Sequence, residues 1–211
     1  MICKVVAEKT VEQSVDKLEG FCEWRLDYLE RIDVAKIRDA IAGRQVILTI
    51  RPEWEGGNFR DEEKRVKFLR ELLDLNPAYL DIELECEAIG EITRIAGERG
   101  IHTIVSYHNF SETPSLHVLH SLVKNARQYN PTIIKIVTLA TSLRDNLVIL
   151  QLNVEAESKI VAFCMGACGK MSRIFCSFFG SEFTYGGSIA PGQVSVEDLE
   201  TIFSIIGEGN D

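Results

Sequence analysis

Lys135 lies in the middle of Thr132-Ile133-Ile134-Lys135-Ile136-Val137, an apolar run that otherwise reads as a buried strand. Burial penalises an ammonium relative to the neutral amine. The position is therefore expected to lower the lysine pKa and make a nucleophile accessible near neutral pH. A second apolar run, Ile101-His102-Thr103-Ile104-Val105-Ser106-Tyr107, ends at His108, 27 residues before Lys135. An imidazole exchanges protons near neutrality and suits general acid/base work. A strand lysine and a histidine at the end of the preceding strand point to Schiff-base chemistry with an acid/base partner.

Other unusual polar residues close further apolar runs. Glu23, Arg25 and Asp27 alternate at the end of one, and Thr49 and Arg51 end the next. Glu55 follows in the loop Arg51-Pro52-Glu53-Trp54-Glu55-Gly56-Gly57, where it either orients His108 or faces solvent. Arg173 follows a later run, and Ser188 and Gln193 stand in Gly187-Ser188-Ile189-Ala190-Pro191-Gly192-Gln193. Taken together, Arg25, Arg51 and Arg173 would leave a repulsion that an anionic ligand relieves, and a guanidinium fork matches a carboxylate. Taken singly, each reads as a salt-bridge partner. Glu23, Arg25 and Asp27 read equally well as a structural ion-pair ladder, with Asp27 capping a turn. Asp81, Glu83 and Glu85 alternate on one strand face in the manner of a metal site. They have no histidine near them, so hydrogen bonding to Lys135 or Arg25 is favoured and no metal is expected. The glycines at 166 and 169 would suit a phosphate loop, although glycines are common in such connections.

The elements that must position these groups alternate along the chain. Strand-like runs cover Ile2–Val6, Phe21–Leu26, Val46–Ile50, Tyr79–Leu84, His102–Tyr107, Thr132–Val137, Lys159–Cys164 and Glu182–Tyr185. Amphipathic helical stretches cover Asp61–Leu75, Glu87–Arg99, Pro114–Tyr129, Thr141–Glu155 and Ser195–Ile206. Alternation of this kind gives βαβ units and a parallel sheet. Eight units in 211 residues leave about 26 residues each, enough for a (β/α)8 TIM barrel. A doubly wound sheet is the alternative, but no Gly-x-Gly-x-x-Gly follows the first strand. No repeat or linker divides residues 1–211, so one domain is expected. In such a barrel the catalytic groups gather at the carboxyl ends of the strands, where the polar residues above fall.

The chain is 45% hydrophobic and carries a net charge of −9, which argues against nucleic-acid binding and favours one large core. It has neither an 18-residue apolar run nor a signal-peptide pattern, so no membrane association and a cytoplasmic location are expected. Six cysteines without a metal-binding spacing read as reduced thiols.

The combined pattern resembles the type I 3-dehydroquinate dehydratase family. The resemblance rests on Glu23-Trp24-Arg25-Leu26-Asp27, Thr49-Ile50-Arg51 with Glu55-Gly56-Gly57, Asp81-Ile82-Glu83 and Ser106-Tyr107-His108-Asn109-Phe110. It continues through Lys135-Ile136, Met165-Gly166, Ser172-Arg173 and Ala190-Pro191-Gly192-Gln193. The resemblance implies a (β/α)8 barrel that works as a homodimer without cofactor and dehydrates the small molecule 3-dehydroquinate. It implies Lys135 as the imine-forming residue, His108 as general acid/base and Glu55 as the carboxylate behind it. It also implies Glu23, Arg25, Arg51, Arg173 and Gln193 as substrate-binding residues. A serine commonly precedes Ala-Pro-Gly-Gln in the family. Here Ile189 holds that place, and Ser188, one residue earlier, is the candidate contact. The first strand starts at Ile2, so the N-terminal hairpin of longer relatives is expected to be absent. Two other readings share parts of the pattern: a Schiff-base aldolase-type barrel enzyme, and a non-catalytic ligand-sensing relative.

Overall fold

Strands and helices alternate through the described residues, 1–207, of the computed structural model. The order is β1 (Ile2–Val6), α1 (Val11–Val15), β2 (Cys22–Arg25), α2 (Val34–Ile41), β3 (Val46–Thr49), α3 (Glu62–Leu73), β4 (Tyr79–Glu83) and α4 (Ile89–Glu98). Next come β5 (His102–Asn109), α5 (Leu116–Arg127), β6 (Ile133–Leu139), α6 (Arg144–Glu155), β7 (Ile160–Met165), α7 (Lys170–Phe175), β8 (Thr184–Gly186) and α8 (Val196–Ile206). All strand pairs are parallel, and the sheet runs β7-β6-β5-β4-β3-β2-β1-β8. A bridge between Ile160 and Ser181, with the Glu182 amide donating to the Ile160 carbonyl at 2.9 Å, draws the β7 and β8 edges together. The result is a single-domain (β/α)8 barrel.

The strands are apolar on both faces because both faces are covered. One set of side chains, including Trp24, Leu48, Ile82, Val105, Ile134, Ile136 and Ala162, packs under the helices. The alternate set, including Cys3, Ile47, Ile104, Val137, Val161, Phe163 and Tyr185, fills the barrel interior. Side-chain caps start several helices: Asp33, Asp61 and Ser195 accept from the amides of Lys36, Lys64 and Asp198. Asn76 and Asn130, at φ 52° and 47°, take left-handed turns before Pro77 and Pro131 and hand a helix over to the next strand.

At the amino ends of the strands the barrel is floored by aromatic rings. Phe21 meets Tyr79 edge-on at 5.6 Å and Phe183 at 5.0 Å, and Tyr79 lies 5.0 Å from His102. Two expectations need correcting. The fourth strand ends at Glu83, so Glu85 lies beyond it and is exposed instead of sharing the inward face. The eighth strand spans Thr184–Gly186, starting two residues and ending one residue later than the apolar pattern suggested. Helices α1, α2 and α7 come in addition to those read from periodicity. Among the described residues no helix is long and apolar enough to cross a membrane.

Candidate active site

Strand alternation turns Ile134 and Ile136 toward the helices and Lys135 toward the barrel axis, where it is 4% exposed. Its Nζ donates to Glu23 Oε1 at 3.1 Å and to Asp81 Oδ2 at 3.2 Å, and it sits 4.4 Å from the Tyr185 ring centroid. Two carboxylates therefore offset the desolvation of this ammonium, and one of them is the Asp81 that strand alternation offers as a partner. Burial pushes the Asp81 carboxyl up, but Arg51 and Lys135 outweigh this and hold it below its usual range. Thr49 Oγ1 donates to the shared Glu23 oxygen at 3.0 Å and fixes that carboxylate from the next strand.

Arg51 ties the second cluster together. It is 2% exposed and donates to Asp81 at 2.7 Å, Glu83 at 2.6 Å, the Ser106 hydroxyl at 2.6 Å and Glu55 at 3.3 Å. The remaining oxygen of Glu83 accepts from Arg65 of α3, which also makes a two-pronged pair with Glu62 at 2.7 Å. The sequence reading missed Arg65, because Glu62 and Arg65 at a three-residue spacing look like an ordinary surface helix pair. With their oxygens committed to arginine, lysine and serine, Asp81 and Glu83 form an ion-pair lattice. The reading of Arg25 and Arg51 as repelling rim charges is also corrected. Arg25 makes a bidentate pair with Asp27 at 2.8 Å, and Arg51 is neutralised by its acids.

His108 stands two residues above the Lys135 level on the adjacent strand, since Ser106 pairs with Lys135 and His108 with Val137. That places it roughly 7 Å nearer the barrel mouth. Its Nδ1 lies 2.8 Å from Glu55 Oε2, and its backbone amide donates to Glu55 Oε1 at 3.3 Å. Glu55 itself is 3% exposed, at the end of a short helical turn that Gly56 closes at φ 75°. Burial is the main cause that pushes the Glu55 carboxyl up to about 8, against Arg51. Burial, then the positive charges of Arg51 and Lys135, hold His108 well below the usual imidazole value. Both shifts disfavour the charged forms, so burial acts against an ion pair at the Oε2–Nδ1 contact.

Arg173 differs from the other arginines. It is 2% exposed, its guanidinium carbon lies 4.3 Å from the Phe163 centroid, and no acid among the described residues pairs with it. Its Nε is buried with no acceptor, and burial without a counter-ion brings its pKa down to about 10. Gln193 faces it across the pocket mouth. The Gln193 Oε1 accepts from the amides of Ile189 and Ala190 at 2.8 and 3.0 Å, which leaves the side-chain NH2 free to donate. Gly192, at φ 73°, lies so close to the Gly166 backbone that a side chain there would collide with it.

A single pocket of about 640 Å³, partly open to solvent, brings together Glu23, Arg25, Arg51, Glu55, His108, Lys135, Arg173 and Gln193. Ser188 does not join them. It is exposed and lies outside the lining, because Ile189 takes the inward place. Phe110, also missed from sequence, lies over the mouth. Its ring stacks on His108 at 6.4 Å and occupies the space a side chain at Gly56 would need.

A parallel (β/α)8 barrel with a buried lysine, a histidine–carboxylate pair and an unpaired arginine at the carboxyl ends of its strands defines a barrel enzyme. More specifically, the chain belongs to the type I 3-dehydroquinase family, whose model matches residues 2–210, and is a hydro-lyase. A relative from Pyrococcus abyssi named 3-dehydroquinate dehydratase is 35% identical over 218 residues, covering 99% of this chain and 100% of the relative. The 3-dehydroquinate dehydratase of Geobacillus kaustophilus superposes with a TM-score of 0.86 at 26% identity, covering 100% of this chain and 92% of that one. The Aquifex aeolicus enzyme of the same name gives a TM-score of 0.84 at 28% identity, covering 97% of this chain and 98% of that one.

Proposed function

We propose that this chain dehydrates 3-dehydroquinate to 3-dehydroshikimate through an imine on Lys135, within the shikimate pathway of aromatic amino-acid biosynthesis. One observation carries the reading. A buried lysine amine sits beneath a histidine–carboxylate pair, in a pocket whose unpaired cation is a guanidinium. Arg173 takes the substrate carboxylate, which supplies the counter-charge it lacks, and Gln193 donates to the same end of the ring. Anchoring the carboxylate brings the ketone carbon to Lys135 and the neighbouring C–H to His108.

Glu23, which pairs with Lys135 and with no arginine among the described residues, takes the proton that Lys135 must lose. The neutral amine adds to the C3 ketone, and the resulting carbinolamine loses water to give a protonated imine. His108 Nε2 removes a proton from C2, and the imine cation accepts the electron pair as an enamine. The enamine expels the C1 hydroxyl, which leaves as water with the proton from His108, and the imine is regenerated. Water then hydrolyses the imine and frees Lys135.

Borohydride added with 3-dehydroquinate is expected to reduce the imine and leave a stable adduct on the peptide containing Lys135, read by mass spectrometry. Lys135→Ala is expected to lose both adduct and turnover. An adduct that persists in the variant, or forms on another residue, would sink the assignment. The family reading further supports a homodimer, for which Leu143, just before α6, Leu147 and Val154 of the exposed α6 face and Val118 of α5 supply an apolar contact. Six free thiols fit a reducing cytoplasm.

A further inference from the structure

Tyr185 projects from β8 into the barrel interior, paired in register with Cys3 of β1. Its ring is held edge-on by Phe163 at 6.0 Å and Phe183 at 5.3 Å, and the Lys135 ammonium rests on its face. The phenol is 3% exposed, and its hydroxyl has no hydrogen-bond partner among the described residues. Phenylalanine would fill the same space and keep every ring contact without burying an unsatisfied donor. The side chain nevertheless lines the pocket that holds Lys135. The established ion pairs do not use it.

We infer that Tyr185 is a further catalytic residue, whose hydroxyl donates a hydrogen bond to the oxygen on the carbon attacked by Lys135. The inference rests on the imine reading above. When the amine adds to the ketone, the carbonyl oxygen gains the electron pair of the broken π bond and becomes the carbinolamine oxygen. It takes one proton from the added nitrogen and a second from the Glu23 carboxyl that deprotonated Lys135, and departs as water when the imine forms. The attacking nitrogen rests on the ring that carries this hydroxyl, and a preorganised donor in a water-poor site acts strongly on an oxygen as its charge develops. Burial first, then the charges of Glu23, Cys3 and Asp81, push the phenol well above its usual value, so it stays protonated and able to donate. Tyr185 makes no covalent bond and gives up no proton. On this account the hydroxyl serves the steps at the C3 oxygen, while His108 serves the proton at C2.

The test is Tyr185→Phe, followed in single turnovers of the full chain with 3-dehydroquinate and quenched with borohydride at successive times. Imine formation is expected to slow by about tenfold, the factor that follows from losing one modest transition-state interaction. Melting in the absence of substrate is expected to rise by about 2–4 °C as the unsatisfied donor disappears. A parent-like rate of adduct formation overturns the proposal, and so does a lower melting temperature, which would assign the hydroxyl to the fold. If the parent protein itself forms no adduct, the imine reading fails and this inference falls with it. If the parent forms one and the variant matches its rate, Tyr185 alone is wrong.

Discussion

On the β2–β5 side of the barrel, inward charges meet opposite charges: Arg25 with Asp27, and Arg51 with Asp81, Glu83 and Glu55. On the β7–β8 side, Arg173 has no acid and Tyr185 no acceptor among the described residues, and their neighbours are Phe163, Met165 and Ile189. Lys135 stands at the boundary, tethered to the charged side and resting on the aromatic one. The contrast teaches how the site divides its labour. One side is preorganised before any ligand arrives and holds its dipoles fixed during reaction. The other keeps unsatisfied groups whose natural partners belong to a substrate, at the expense of stability.

Removing the hub of the charged side should have the largest effect. Arg51→Leu leaves Asp81, Glu83 and Glu55 buried without their counter-charge and is expected to lose about 3–5 kcal/mol in urea unfolding. A loss below about 1 kcal/mol would mean that the lattice does not hold the fold. Arg173→Leu should behave in the opposite sense. Its substrate-free stability is expected to match or exceed the parent's, while KM rises by about 100-fold, as when one partner of a buried charge pair is truncated. Equal destabilisation by both variants would erase the distinction between the two sides.

The pH dependence sharpens the comparison where the sides meet. With its carboxyl pushed up to about 8, a protonated Glu55 would donate to His108 Nδ1 and leave the imidazole hydrogen on Nε2. Above that value, Nδ1–H donates to the carboxylate and Nε2 is free to act as base. We expect kcat/KM to climb as pH rises through about 8 and the climb to vanish in Glu55→Gln. Linkage gives the matching stability sign. A carboxyl raised from 4.5 to about 8 favours the folded state at low pH, and this contribution is lost as pH rises through about 8. Glu55→Gln should flatten that slope in urea titrations at several pH values. A profile identical to the parent's would detach Glu55 from the titration.

The barrel was legible because seven of its eight strands are apolar runs ended by loops, and two of them, β2 and β4, alternate charged with apolar residues. Lys135 and His108 were conspicuous as polar groups in or at the end of apolar runs, whereas Glu55, in a loop between Trp54 and Gly56, read equally as exposed. The partnerships are legible only in part: strand alternation points to the Arg25–Asp27 pair and to a hydrogen bond between Lys135 and Asp81, and not to the Arg51 hub. Arg51 and Arg173 look alike in sequence, and only three-dimensional proximity to Asp81 shows that one is neutralised and the other is not. Arg65 hid behind an unremarkable helix spacing, and Tyr185 behind its aromatic neighbours. Helix α7 escaped because six residues span too few turns to show a period, although the eight residues of α2 follow a visible Asp33 cap. Ser188 failed by one position. A turn that brings Ile189 inward must send its neighbour out.

The aromatic rings of Phe21, Tyr79 and Phe183 back the reaction chamber at the amino ends of the strands. Substrate and product then share the mouth beneath Phe110. Product still in place therefore excludes the next substrate, and the chamber processes one molecule at a time.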